Sequence, residues 1–292
     1  MGMKKLHTPV LLSEVLATIK PHPGESYLDL TAGYGGHARE ILDVTQQYKD
    51  SCLVDRDEFA INYLRGEFPS ELEIMQMDFY GAVLQLFKCG KTFDIILADL
   101  GVSSPQLDME ERGFSYQHDG PLDMRMDKGQ KLTADFIVNR YSERELVDIF
   151  VKYGEEKPGR AKMIAREIAH SRPINSTTEL TNIIISKSRY SKTHPAARIF
   201  QALRIVVNDE LGELERTLPL LPRLLNKGGR VGIITFHSLE DRLVKDFFKE
   251  AASYGEESEL QLVNKKPLVA GVQEIGINPR ARSAKLRVAI RD

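Results

Sequence analysis

Two cysteines, Cys52 and Cys89, are all that the 292 residues contain. No disulfide framework is available, and without a C-x-x-C pair neither is a thiolate zinc site. No stretch approaches the ~18 uninterrupted apolar residues of a membrane span. The opening MGMKKLHTPVLLSEVL has no long apolar run before Ser13 and Glu14, so no secretory signal is expected. A reducing, cytoplasmic location is the expectation. The seven histidines are scattered, no pair has H-E-x-x-H spacing, and no metal is expected. Repeats and low-complexity tracts are missing too. With 42% hydrophobic and 28% charged residues, 21 Gly and 13 Pro, collagen-like, coiled-coil and disordered classes are excluded. What remains is a globular chain of one large domain or two modest ones.

The net charge of −2 hides an uneven distribution. Residues 1–100 carry nine Lys/Arg against 15 Asp/Glu, whereas residues 157–204 carry ten against two, a local charge of +8. A basic block in an otherwise acidic chain is the footprint of a nucleic-acid-facing surface. A solvated helical face would give the same count.

Hydrophobic patterning organises the first hundred residues as βαβ units. Strands are predicted at 26–30, 51–54, 73–77 and 93–98, with helices between them. Short apolar strands alternating with helices imply a parallel sheet covered on both faces. From Gly101 to about Lys131 the pattern stops in a Gly/Pro/Asp/Ser-rich stretch. Helical segments follow: Ser142-x-x-Glu145 is a capping-box pattern, Thr177 or Thr178 is a candidate cap, and Pro195 opens a further helix. Strand patterning resumes at 228–236, then a helix near 240–248 and strands at 260–263 and 286–290. The fold class expected is α/β, a doubly wound, mostly parallel sheet with a helical insertion. Its core would be residues 1–105 and 205–292, and its insertion residues 106–204.

Asp29-Leu30-Thr31-Ala32-Gly33-Tyr34-Gly35-Gly36-His37 lies at a strand end and opens a helix. Glycines there allow φ > 0 and close approach of a ligand. Asp55, 20 residues past Gly35 at the next strand end, is placed to accept hydrogen bonds from ribose hydroxyls. Gly33-x-Gly35-x-x-Ala38 also fits the dinucleotide fingerprint, so an NAD-type Rossmann oxidoreductase competes. Asp29 tilts the balance towards S-adenosylmethionine, because a carboxylate suits an amino group and a sulfonium better than a pyrophosphate. Phe79, after Asp78 at the third strand end, would flank an adenine.

Asp99 ends the fourth strand, beside the switch point where such sheets bind ligands. An amine on a heteroaromatic ring is a poor nucleophile, since its lone pair is delocalised into the ring. An acceptor facing its N–H bonds localises that pair and takes the proton. Asp99 and nearby carbonyls are the available acceptors, and a role for Asp99 at the cofactor's methionine end stays open. Ser238 lacks the G-x-S-x-G elbow of a hydrolase and reads as a helix cap. Arg280, Arg282, Lys285, Arg287 and Arg291 make the C-terminal end basic, for phosphate contact or for anchoring the last strand.

Ten segments carry a family resemblance, among them DLTAGYGGHA (29–38), DLGVSSPQLD (99–108), DGPLDMRMD (119–127), HPAARIFQALRIVVNDEL (194–211), FHSLEDR (236–242) and NPRARSAKLR (278–287). Over nearly its whole length the chain resembles the RsmH (MraW) family, which methylates N4 of a cytidine in the decoding centre of 16S ribosomal RNA. The resemblance implies S-adenosylmethionine as cofactor, with Gly35, Gly36, His37, Asp55, Phe79, Asp99 and Gln106 at the cofactor-contacting positions. It implies 16S rRNA or the small ribosomal subunit as partner. Lys187, Arg189, Lys192, Arg280 and Arg282 are the candidate RNA contacts, and a homodimer stays open. Ala38 stands where the family usually has Ser, Asp78 where Asn is frequent, and the segment between Arg242 and Asn278 matches poorly. A non-catalytic RNA-binding assembly factor is the remaining alternative. A DNA N4-cytosine enzyme is disfavoured, because Asp99-Leu100-Gly101-Val102 lacks the double proline of that class.

Overall fold

The computed structural model describes residues 9–187, 194–253 and 259–292. The chain divides into two compact units, Met1–Gly101 with Leu211–Asp292, and Val102–Glu210.

The first unit is built on one sheet. Its strands are β1 (Tyr27–Asp29), β2 (Cys52–Asp55), β3 (Glu73–Gln76), β4 (Phe93–Asp99), β5 (Leu225–Thr235), β6 (Leu260–Leu262), β7 (Leu268–Val269) and β8 (Lys285–Arg291). Their order is β3-β2-β1-β4-β5-β8-β6, with β7 also on β8. The first five run parallel and β8 lies antiparallel to β5. The chain moves outward from β1 to β3 and then returns to the other side of β1 as β4. That reversal places the ligand-binding crevice at the carboxyl ends of β1 and β4.

Strand alternation sorts the core into two layers. Ile96 and Ala98 of β4 join Leu28, Val54 and Val231 in one apolar cluster; Ile95 and Leu97 join Tyr27, Leu53 and Leu286 in the other. Both faces are therefore buried, which is why these strands read as continuous apolar runs. Asp57 and Asp78 cap the helices Glu58–Glu67 and Phe79–Lys88, accepting from Phe59 N and Gly81 N. Each cap satisfies a helix-end donor with no intrahelical partner.

The second unit is helical: Ala134–Arg140, Glu143–Lys152, Pro158–His170, Thr177–Ser186 and Ala197–Asn208 follow a short helix at Ser104–Asp108. Phe150, Ile164, Ile168, Leu180, Ile199 and Leu203 lie in its own apolar core. The capping box at Ser142 and Glu145 forms. Ser176 caps the helix that begins at Thr177, one residue before the expected cap. Pro195 lies just ahead of the helix Ala197–Asn208. The aperiodic stretch before the first long helix is ordered by buried polar clamps. Arg112 donates to the carbonyls of Arg125 and Met126, both at 3.1 Å. Asn208 bonds Met124 O and Met126 N, both at 2.8 Å. Among the described residues no helix is long and apolar enough to cross a membrane.

Candidate active site

The carboxyl ends of β1, β2, β4 and β5 bring buried carboxyl groups to one edge of the first unit. Asp29, at the end of β1, is 2% exposed. The Tyr27 hydroxyl donates to its Oδ2 at 2.7 Å and Thr31 N to its Oδ1 at 3.1 Å. Burial pushes its pKa up to about 6, and the Asp55 charge adds to the rise; the two hydrogen bonds oppose it without cancelling it.

Asp55, at the end of β2, is tied to the glycine loop. Gly33 N donates to its Oδ2 at 2.8 Å, and Asp57 N to its Oδ1 at 2.8 Å. Burial raises the Asp55 pKa against the pull of these two bonds. Gly33 holds φ +52°, and a Cβ there would meet nothing closer than the Thr31 carbonyl at 3.9 Å. The loop is therefore open at Gly33 and closed behind it. At Gly35, with φ +74°, a Cβ would lie 2.7 Å from the Phe68 ring. At Gly36 it would lie 2.7 Å from Pro9. Both are required by packing against the loop, whatever ligand it meets.

Asp99 closes β4. Its backbone N–H donates to Thr31 Oγ1 at 2.6 Å, joining the β4 end to the loop after β1. Its Oδ1 is buried without a hydrogen-bond partner, although the side chain as a whole is 23% exposed. Burial lifts the Asp99 pKa well above the usual carboxylate range, and the charges of Asp29 and Glu240 lift it further. His37 is buried in the first turn of the helix Gly36–Thr45. Its Nε2 is 2.9 Å from the Val10 carbonyl, and its Nδ1 is 3.8 Å from Asp99 Oδ2. Glu240, 2% exposed, accepts from Phe236 N at 2.8 Å and His237 N at 3.2 Å.

Phe79 opens its helix at the end of β3 and packs, partly buried, against the apolar cluster that contains Met75 and Val83. Gln106 belongs to the second unit. Its side chain accepts from Ser103 N at 3.0 Å, and its own N–H donates to Ser103 Oγ at 3.4 Å, so it forms a capping box.

The candidate RNA contacts divide. Lys187 pairs with Glu167 at 3.0 Å, and Arg189 and Lys192 lie outside the described residues. Arg280 and Arg282 are exposed in the turn Pro279–Ser283. Lys285 and Arg287 grip Asp241 at 2.9 and 2.8 Å, so these two anchor the last strand. Within the basic block Arg160 binds Glu156, Arg198 the Glu155 carbonyl, and Arg204 both oxygens of Glu210. Lys162 and Arg166 are exposed. Ser238 is the first residue of its helix and His237 is the cap.

Pattern reading missed Tyr27, Thr31 and Glu240 as parts of this edge. Tyr27 looks like core and is core; its hydroxyl matters only because Asp29 lies two residues on. Glu240 had a signal, since it is the acidic residue nearest the end of β5.

Residues 4–292 match the model of the MraW methylase family. The chain belongs to that family. It is 46% identical over 294 residues to the ribosomal RNA small subunit methyltransferase H of Crocosphaera subtropica, covering 98% of this chain and 89% of that one. To the protein of the same name from Nostoc punctiforme it is 47% identical over 290 residues, covering 97% and 93%. Among solved structures, an rRNA methylase from Streptococcus thermophilus superposes with a TM-score of 0.42 at 9% identity, covering 100% of this chain and 98% of that one. Membership makes the chain a methyltransferase and sets the oxidoreductase alternative aside.

Proposed function

We propose that this methyltransferase transfers a methyl group from S-adenosylmethionine to N4 of a cytidine in the decoding centre of 16S ribosomal RNA. The observation that carries the proposal is the Asp99 carboxyl at the end of β4, with one buried oxygen lacking a partner. A buried acceptor without a donor is costly unless a ligand supplies one. S-adenosylmethionine, when bound, supplies an electrophilic methyl on a sulfonium.

The residues fit that donor by their chemistry. Its ammonium and sulfonium are cations, and burial makes Asp29 and Asp99 harder to ionise, with the charge of Asp55 adding to the first and those of Asp29 and Glu240 to the second. A pyrophosphate would meet the same edge as repulsion. Each Asp55 oxygen already accepts one backbone N–H and keeps a lone pair for a ribose hydroxyl. Gly35, Gly36 and His37 hold the loop that would carry the donor's backbone contacts. Phe79 would offer a ring to its adenine, and Gln106 is the further contact position that the family resemblance implies.

Asp99 would accept an N–H of the cytosine amine, localise the nitrogen lone pair, and hold the departing proton. Its raised pKa suits it to keep that proton once taken. The rest of the rate enhancement comes from aligning nitrogen, methyl carbon and sulfur. Phosphate contacts from Lys187, Arg189, Lys192, Arg280 and Arg282 would hold the RNA while the base leaves its stack.

The relatives' name, ribosomal RNA small subunit methyltransferase H, supports the small-subunit substrate. The test is transfer of tritiated methyl to small subunits, followed by nuclease digestion and identification of the labelled nucleoside. Label on cytidine N4 at one decoding-centre position is expected. Label on another nucleoside would overturn the assignment, and none at all would favour a non-catalytic assembly factor.

A further inference from the structure

The helical unit holds an aromatic stack that the proposed chemistry does not use. Tyr116 and His194 lie face to face, ring centroids 4.5 Å apart and planes 13° from parallel. Phe200 meets Tyr116 edge-on at 5.8 Å and 80°. Tyr116 is half-buried and packs on the helical core, and its carbonyl accepts from the Thr181 hydroxyl at 3.4 Å. His194, at the other end of the stack, is exposed.

The imidazole is held in place although it faces water. Ala196 N donates to its Nδ1 at 3.3 Å and Ala197 N to its carbonyl at 3.0 Å. The Arg160 guanidinium fixes the adjoining Pro195 carbonyl at 3.0 Å. One face of the ring lies on Tyr116, and the residue is exposed. A planar π face, already oriented, loses little entropy when a second ring stacks on it. The sequence block 157–204 carries +8, and within it Lys162 and Arg166 are exposed on the helix Pro158–His170, whose first turn supplies Arg160. Cationic surface tracks a phosphate backbone, and aromatic faces on it receive unstacked bases.

We propose that the outer face of His194 is a stacking platform for an unpaired nucleobase of the RNA, with Tyr116 as its backing ring. The proposal rests on the RNA reading above.

The test uses the full-length chain and a labelled, cytidine-containing single-stranded oligoribonucleotide, titrated by fluorescence anisotropy. His194→Ala should weaken binding roughly 5- to 100-fold, the range for loss of one base–aromatic stack. His194→Phe should stay within about threefold of wild type, because a phenyl ring keeps the face. His194→Leu should not recover the loss. The salt dependence of affinity should be unchanged in all three, since stacking releases no counterions. Thermal melting and S-adenosylmethionine affinity report whether each variant is folded.

Wild-type affinity in the alanine variant would overturn the platform, and so would full recovery with leucine. A phenylalanine variant as weak as alanine would overturn it too, assigning the effect to the imidazole's charge or hydrogen bond. The chain contains no tryptophan, so His194→Trp installs a single reporter whose emission a stacked base should quench. Unquenched emission at RNA concentrations that saturate the anisotropy would refute the stack. Failure of the RNA reading itself shows separately, because wild-type protein would then neither bind the oligonucleotide nor label rRNA.

Discussion

Asp29→Asn should make the ligand-free protein more stable at pH 8 and a weaker binder of its cofactor. Asp29 is 2% exposed and its pKa is raised to about 6, against ~3.9 for an aspartate in the unfolded chain. A carboxyl whose pKa rises on folding destabilises the fold wherever it is ionised. The cost is absent below about pH 4, grows between pH 4 and 6, and is complete above pH 6. A gap of about two pH units at about 1.4 kcal/mol each sets it near 3 kcal/mol. Asparagine keeps the volume. Its Oδ1 can accept from Thr31 N, and its Nδ2 can donate to the Tyr27 oxygen, at the cost of the acceptor that the buried Tyr27 O–H now has in Asp29, which trims the gain. Urea unfolding at a series of pH values should show the variant ahead by about 1–3 kcal/mol at pH 8, with the advantage vanishing near pH 4. Asp55 and Asp99 shift in the same direction, so some pH slope persists in the variant. Calorimetry should show S-adenosylmethionine affinity reduced ~10-fold or more, as expected for losing a buried charge partner. Equal stability at pH 8, or an advantage of the same size at pH 4, would refute the reasoning.

Asp55→Ala should reduce S-adenosylmethionine affinity roughly 10- to 100-fold by calorimetry, since it removes a charged acceptor and frees the Gly33 N–H. Asp99→Asn should lower turnover by ~100-fold or more in the tritium assay at saturating cofactor; full recovery at saturation would reduce Asp99 to a binding role. Gly35→Ala combines a positive φ with a Cβ 2.7 Å from the Phe68 ring, so thermal unfolding should show a loss of ~2 kcal/mol or more. Phe68→Leu in the same chain should recover part of it. Asn208→Ala strands Met126 N and Met124 O; it should cost ~2–4 kcal/mol and speed amide exchange around residues 124–126.

The parallel core was legible because strands buried on both faces must read as short apolar runs, and β1, β2 and β4 do; β3, at the sheet edge, is half polar. The strand ends were legible for the same reason: Asp29, Asp55 and Asp99 each break an apolar run. Two things were not. The long β5 starts at Leu225 and passes through Asn226, Lys227 and two glycines before its apolar part, so periodicity finds only its second half. The Gly101–Lys131 stretch reads as loop, yet buried clamps hold it. Arg112, 2% exposed, answers carbonyls 13 and 14 residues away, and Asn208 answers groups more than 80 residues away. Local propensity contains no information about partners at that separation.

At the site the difficulty is of another kind. Each strand-end acid read alone is an ordinary turn cap, and the glycines read alone fit two cofactor classes. Packing then removes Gly35 and Gly36 as discriminators, since Phe68 and Pro9 demand them for any ligand. What discriminates is the sum of the carboxyls. Burial makes both Asp29 and Asp99 harder to ionise, and the charge of Asp55 adds to the first and those of Asp29 and Glu240 to the second. Such an edge is unfavourable in the empty fold and becomes favourable only with a cationic ligand, as opposite charge restores the ionised form. A dinucleotide's pyrophosphate would add to the repulsion. On the proposed reading, the chemistry is specified by the juxtaposition of four strand ends, a property of the sheet order β2-β1-β4-β5, and no single motif contains it.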